Sequence, residues 1–347
     1  MKPLKLDDAG RTLIERHRRW WSGEALLLTF DHSAALGDLW VPLADGTDAS
    51  EDLPLMPDLL DFDRLAGPRL TPGLLATDGD FFRIECAYSR IPWVEAVVGG
   101  PIEALIQAGS MRSVPFVEKW ADWQGAAAHH SEAWRALLLA LTEELVARAA
   151  GRHAVTTTLM RGPCDLAEAA LGPELTCFSI YDHPSELRKF LGQVTDTFIE
   201  LLHAQLVRCR PVADGYVSLF GIWAPGTVAR TQCDAAAFLS ARHYAEWFLP
   251  ENVRICESVD TSIIHLHSCS MHVVDDLLAL ERPHAIQVTL EMEPSGPPLV
   301  DLVPVFRRIL DVKPLLVQGY LSEPQLAMLL DELPHGGLAI TARDTPW

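Results

Sequence analysis

The run Ile263-Ile264-His265-Leu266-His267-Ser268-Cys269-Ser270-Met271-His272 holds the densest set of side chains that could do chemistry. Ser262–His267 reads as a strand, so His265, His267 and Cys269 recur at the two-residue period that places side chains on one face. Neighbours in that set stand about 6.6 Å apart at Cα, close enough for two to chelate one ion, while all three on a regular strand would span about 13 Å. One ion therefore takes two of them and recruits a distant third. Imidazole together with thiolate suits zinc best. Two other readings stand beside the metal: substrate contacts without an ion, and hydrogen-bonded interior groups.

A second group follows the segment Gly215–Phe220, read as a strand running into a Gly- and Pro-bounded loop. Trp223 offers a flat apolar wall for a ligand, a lid, or an anchor in the core. Asp234, in the same loop, is read as an acid, a base or a helix cap. Arg161 follows the expected strand Val155–Leu159 and has the planar fork that grips a carboxylate; Arg90, Glu85 and Tyr88 could also face a cavity. Glu291 and Glu293 follow the expected strand Ala285–Leu290 and are candidates for a metal ligand or general base. Tyr181-Asp182-His183-Pro184 is sufficiently explained as a helix start with proline in its first turn. The sequence has no Gly-rich phosphate loop, no Gly-x-Ser-x-Gly, no His-Glu-x-x-His and no Gly-x-Gly-x-x-Gly, which argues against nucleotide-dependent and serine-hydrolase chemistry.

These residues need a frame, and the pattern supplies one. An opening helix over Asp7–Trp21 and a buried strand over Ala25–Phe30 precede a loop-rich stretch from Asp45 to Asp80, with prolines at 54, 57, 68 and 72. Beyond Pro101, helices (Ser131–Ala150, Pro184–Cys209, Ala241–Ser258, Met271–Glu281, Leu299–Leu310, Ser322–Glu332) alternate with strands, the later ones being Ser262–His267, Ala285–Leu290, Leu315–Gly319 and Gly337–Thr341. Short apolar strands alternating with helices at this spacing favour a closed TIM-type (β/α) barrel over an open, doubly wound sheet, read as one domain over residues 1–347 with a helical and loop-rich N-terminal extension to about residue 100. In such a barrel the strand ends carry the active site, which gives the position of His265 and His267 its weight.

The 347 residues include 28 Lys+Arg against 47 Asp+Glu, a formal charge of −19. That argues against a nucleic-acid or anionic-membrane surface, since both need basic patches. No run is apolar enough to span a bilayer, and the start Met1–Asp8 has no signal-peptide core. Seven scattered cysteines without a Cys-x-x-Cys pair suit reduced thiols, and the expected location is the cytoplasm.

The order of pieces resembles the uroporphyrinogen decarboxylase superfamily, which includes metal-dependent corrinoid and thiol methyltransferases. The resemblance rests on Trp20-Trp21-Ser22-Gly23-Glu24, Val98–Glu103, Tyr181–Pro184, the Trp223 to Gly226 loop, the helix with Ser240 and Pro250, the His265 strand and Gly336–Ile340. It implies a (β/α)8 barrel with its site at the strands' C-terminal ends. Methyltransferase members carry a His-x-Cys pair at this strand. His267-Ser268-Cys269 matches it, and a register two residues earlier puts His265 and His267 there. The closing segment Thr341–Thr345 has no Cys, so the third ligand is expected from Asp344, Glu291, His272 or water. The Arg-Gln-Ala-Gly-Arg type stretch of decarboxylase members is absent. The expected metal ligands are thus His267, Cys269 and His265, holding zinc. Arg161, Asp234 and Glu291 are expected in catalysis, and Tyr216, Trp223, His265 and Arg90 in substrate binding. Three functions follow: metal-dependent methyl or alkyl transfer to a small substrate or thiol, a metal-free lyase acting on a carboxylate, and a non-catalytic member that binds a ligand or a corrinoid protein. The expected partners are a small-molecule substrate, a corrinoid protein in trans and a second copy of the chain.

Overall fold

A computed structural model of the chain describes residues 3–31, 39–67 and 77–343. Pro68, Pro72 and Asp344 lie outside the described residues.

Helix α1 (Asp8–Trp21) starts where Asp7 accepts the amide hydrogen of Gly10 at 2.8 Å, a cap worth about 1 kcal/mol. Ile14, His17 and Trp20 recur at helical spacing and form its buried face. The chain then enters a seven-stranded sheet built from β1 (Leu27–Asp31), β2 (Thr77–Gly79), β3 (Val228–Gln232), β4 (Thr261–His267), β5 (Ala285–Thr289), β6 (Leu315–Tyr320) and β7 (Leu338–Arg343). The spatial order is β3-β4-β5-β6-β7-β1-β2. Six of the strands run parallel, and β2 is antiparallel to β1. The N-terminal third is therefore part of the sheet, because β1 seats itself between β7 and β2.

The helices between strands include α2 (Glu132–Ala149), α3 (Pro163–Asp182), α4 (Pro184–Leu206), α5 (Leu249–Glu257), α6 (Leu299–Leu310) and α7 (Glu323–Glu332). The parallel strands are buried on both faces because helices cover one side and the interior fills the other. On the inner face Leu27, Ile263, Ala285, Leu316 and Ala339 pack with Trp20, Phe81 and Ile222 into an apolar layer. Two residues further along each strand the same face turns polar, with Thr29, His265, Gln287, Gln318 and Thr341. That change from apolar to polar towards the C-terminal ends creates the site.

Several elements depart from the sequence pattern. The remaining sheet pieces are short: Leu53–Leu55, Ile102–Leu105 and Ser110–Ser113 form a three-stranded antiparallel sheet, Ile84–Glu85 pairs with Ala154–Val155, and Gly215–Val217 with Trp223–Pro225. Among the described residues the pairing does not run as one unbroken eight-stranded ring. The expected strand Val155–Leu159 stops early because threonine side chains replace ladder bonds: Thr156 Oγ1 donates to Val217 O at 2.6 Å, and Thr158 Oγ1 to Ala87 O at 2.6 Å. Ala241–Ser258 is divided by a π-helical turn over Tyr244–Phe248, just before Pro250, which has no amide hydrogen for the helical ladder. Met271–Glu281 is a 3-10 turn over Ser268–Val273 followed by a short helix over Val274–Leu278. Among the described residues, no helix is long and apolar enough to cross a membrane.

Candidate metal and substrate site

A cavity of about 770 Å³ opens over the C-terminal ends of the strands, within the size range of small-molecule sites. Phe81, Phe82, Leu219, Phe220, Leu290 and Met292 give it apolar walls, and Arg90, Arg161, Arg230, Asp234, His265, His267 and Glu291 bring charge and hydrogen-bonding groups to it. Gly221 reaches this wall with a φ of +76°, and its carbonyl accepts the Phe82 amide at 2.8 Å; a Cβ there would stand 2.7 Å from Phe82 O. Gly162 is equally constrained, since a Cβ would overlap Gln232 O at 1.9 Å. That close approach brings the chain around Arg161 and Asp165 against the end of β3.

Asp234, His265 and His267 each offer a ligand atom within 4.8 Å of the others. The two histidines share one face of β4, their ring centroids 4.8 Å apart. His265 Nε2 lies 3.4 Å from Asp234 Oδ1, and His267 Nε2 lies 3.7 Å from Asp234 Oδ2. The far side of each ring is also occupied. His265 Nδ1 donates to Gln287 Oε1, and His267 Nδ1 donates to Glu291 Oε1. Gln287 is oriented for this by its amide nitrogen, which donates to Thr289 Oγ1 at 3.0 Å. Glu291 is held by Ser268, whose hydroxyl donates to Oε2 at 2.6 Å and accepts the Glu291 amide at 3.0 Å. Gln232 Nε2 donates to Asp234 Oδ2 at 2.8 Å, and Arg230 donates to Gln232 Oε1. Asp234 Oδ1 is buried with no hydrogen-bond donor.

The electrostatics follow from burial and these contacts. Burial pushes His265 down to about 3, assisted by the Arg230 charge, so its ring is neutral. Burial also opposes a charge on His267, but the Asp234 and Glu291 carboxylates outweigh it and lift the ring to about 10. Asp234 is held down at about 2, its burial cost outweighed by the neighbouring histidines and Arg230. Without an ion, His267 is therefore an imidazolium between two carboxylates.

This donor set fits a metal ion. Two Nε2 atoms and a carboxylate oxygen converge, and both Nδ1 hydrogens are tied to acceptors, the outer arrangement that fixes imidazole ligands. Three protein ligands also leave coordination open for a substrate. Cys269 does not join them. The strand ends at His267, the chain turns into the 3-10 segment, and the exposed Cys269 thiol has only Ser270 Oγ near it, at 3.9 Å. The group that the fold brings together thus offers nitrogen and oxygen atoms rather than the mixed nitrogen and sulfur set read from the sequence, and the earlier register, His265 with His267, is the one that converges. Among the described residues the third candidate donor is Asp234, while His272 turns away to Leu239 O at 3.0 Å.

Arg161 and Arg90 both reach the cavity. Arg161 has its guanidinium 3.5 Å from buried Glu95, and Arg90 donates to Gly109 O at 3.3 Å. Trp223 does not line the cavity. It is fully buried beside Ile14 and Ile84, its indole nitrogen donating to Val212 O at 2.8 Å and its ring 4.5 Å from the Arg18 guanidinium. Tyr216 is half-buried and packs near Cys209, also away from the cavity. Glu85 pairs with His153 at 2.9 Å, and the Tyr88 hydroxyl donates to Trp40 O at 2.7 Å. Sequence reasoning missed Arg230, Gln232 and Gln287. The available signal was polar side chains at the inward positions of otherwise apolar strands.

No family model matches the sequence, and no curated protein matches it. The chain shares its fold with a methyltransferase from Methanosarcina mazei, at a TM-score of 0.57 and 13% identity over 96% of this chain and 94% of that one. A B12-independent methionine synthase from Shewanella sp. W3-18-1, solved in complex with selenomethionine, aligns over 60% of this chain and 59% of that one, with 11% identity and a TM-score of 0.40.

Proposed function

We propose that the chain is a metal-dependent enzyme transferring a methyl or alkyl group to a small substrate or thiol, with the ion held by Asp234, His265 and His267. The observation that carries this reading is the pairing of the two inward Nε2 atoms with two outward Nδ1 hydrogens anchored on Gln287 and Glu291. The shared fold with a methyltransferase supports the direction of the chemistry. An ion held there supplies a Lewis acid that favours the thiolate over the thiol near neutral pH.

The chain's own residues do the rest. Gln287 and Thr289 hold His265 in the tautomer whose Nε2 is unprotonated. Both oxygens of Glu291 are occupied, which makes it a positioning residue for His267 rather than a free base. Gln232 takes Asp234 Oδ2 and leaves Oδ1 for the ion. The apolar cavity walls limit water around the reacting atoms. In the transfer, the thiol gives its proton to solvent water, and the sulfur then bonds to the methyl or alkyl carbon while the donor's leaving group departs with its electron pair.

The test is methylation of mercaptoethanol by methyl iodide, run one to two pH units below the pKa of the free thiol. Zinc-loaded protein is expected to accelerate thioether formation, and the acceleration is expected to vanish with chelator or Asp234→Asn. Equal rates in all samples refute thiol activation.

A further inference from the structure

Arg230 lies on the inward face of β3, at the wall of the cavity, and is only 9% exposed. A buried guanidinium needs acceptors and a counter-charge, because it stays protonated: burial pushes Arg230 down, but only to about 10. One donor reaches Gln232 Oε1, and the Phe220 ring centre is 5.7 Å from the guanidinium carbon. Its Nε has no acceptor, and among the described residues no carboxylate oxygen comes within 4.0 Å of it. Asp234 and Asp165 attract it from further away, and Arg161 repels it. Asp234 is moreover committed to the ion. An ion of two positive charges with Arg230, set against one negative charge each on Asp234 and Glu291, leaves a net positive cluster facing a low-dielectric cavity.

We infer that Arg230 receives an oxyanion of the substrate, a carboxylate being the smallest such group, so that the substrate is a small acid whose charged end lies against β3 and whose reacting atom faces the ion. The orientation rests on the metal-dependent reading above; the anion site itself rests on Arg230. A buried guanidinium at the cavity wall forms strong charge-assisted bonds to a carboxylate and leaves a neutral hydroxyl without that gain. Arg230 is then a specificity-determining residue.

The test compares mercaptoacetate with mercaptoethanol, which share the thiol and differ in the charged end. Binding is measured by calorimetry on chelator-treated and on zinc-loaded protein. Mercaptoacetate should bind at least about tenfold tighter in both forms, as expected for a charge-assisted pair. The preference should fall to about one in Arg230→Gln and persist in Arg161→Gln. Equal binding of the two probes by the unmodified protein overturns the inference, as does a preference kept in Arg230→Gln or lost only in Arg161→Gln. Should Arg230→Gln fail to fold, Arg230→Lys keeps the charge but not the fork and should reduce the preference; an unchanged preference overturns the inference. If zinc does not bind at all, the metal-dependent reading fails, and the comparison on chelator-treated protein still decides the role of Arg230.

Discussion

Lowering the pH should unlock the packing of α1 through a single imidazole. His17 is fully buried; its Nε2 donates to Asp80 O at 2.6 Å and its Nδ1 accepts the Trp223 amide at 2.7 Å. Those two bonds require the neutral ring and tie α1 to the Asp80 turn and to the Trp223 hairpin. Burial lowers the pKa from 6.5 to about 4, so the folded state resists a proton that the unfolded chain accepts. The sign follows: stability is fully present above 6.5 and is lost as the pH falls towards 4. A difference of 6.5 − 4 units at 1.36 kcal/mol each gives about 3 kcal/mol in total, of which about 2 kcal/mol is lost by pH 5. The assay is urea unfolding of the unmodified protein and His17→Gln across this range, since acids common to both cancel in the difference. At neutral pH the variant should be the less stable, and the gap should shrink by about 2 kcal/mol between pH 7 and 5. A gap that stays constant refutes the claim that a neutral His17 locks this region.

Other substitutions probe the site and its surroundings. Gln287→Leu removes the acceptor for His265 Nδ1 and should weaken zinc binding by about 10–100-fold, read by competition with a chromophoric chelator, with the circular dichroism spectrum unchanged. At the ends of β1 and β7, Asp31 and Arg343 form a buried ion pair at 3.0 Å. Arg343→Met should cost about 3–5 kcal/mol in unfolding experiments, and adding Asp31→Asn should recover part of that loss. A double variant no better than the single one would refute the coupling of Asp31 to Arg343.

What could be read from the sequence depended on whether a residue's role left a local trace. His265 and His267 did, because the period of two on a short strand puts both on one face at a strand end. Leu299–Leu310 was legible in full, its apolar stripe undisturbed by Pro304. Strand β3 was missed: its Arg230 and Gln232 point into a cavity, which breaks the hydrophobic signal although every residue is buried. Helix α3 was obscured by Gly172 and Pro173, where a φ of +76° interrupts the helical backbone. Cys269 misled because the pattern assumes a strand that continues, whereas the chain turns after His267. Trp223 misled because an aromatic loop looks like a ligand wall, and only the contacts of its ring with α1 reveal an anchor. The convergence of Asp234 on β4 has no sequence signal, since it depends on β3 lying beside β4 in register, Gln232 opposite His265.

The central claim is that one ion is held by two imidazoles and a carboxylate, without sulfur. X-ray absorption at the zinc edge of the loaded protein tests it most directly. Nitrogen and oxygen neighbours only are expected, at about 2.0–2.2 Å, with histidine scattering beyond them, and that signal should be lost in His265→Ala and His267→Ala. A sulfur shell at about 2.3 Å, or zinc that washes away from the unmodified protein, would contradict it.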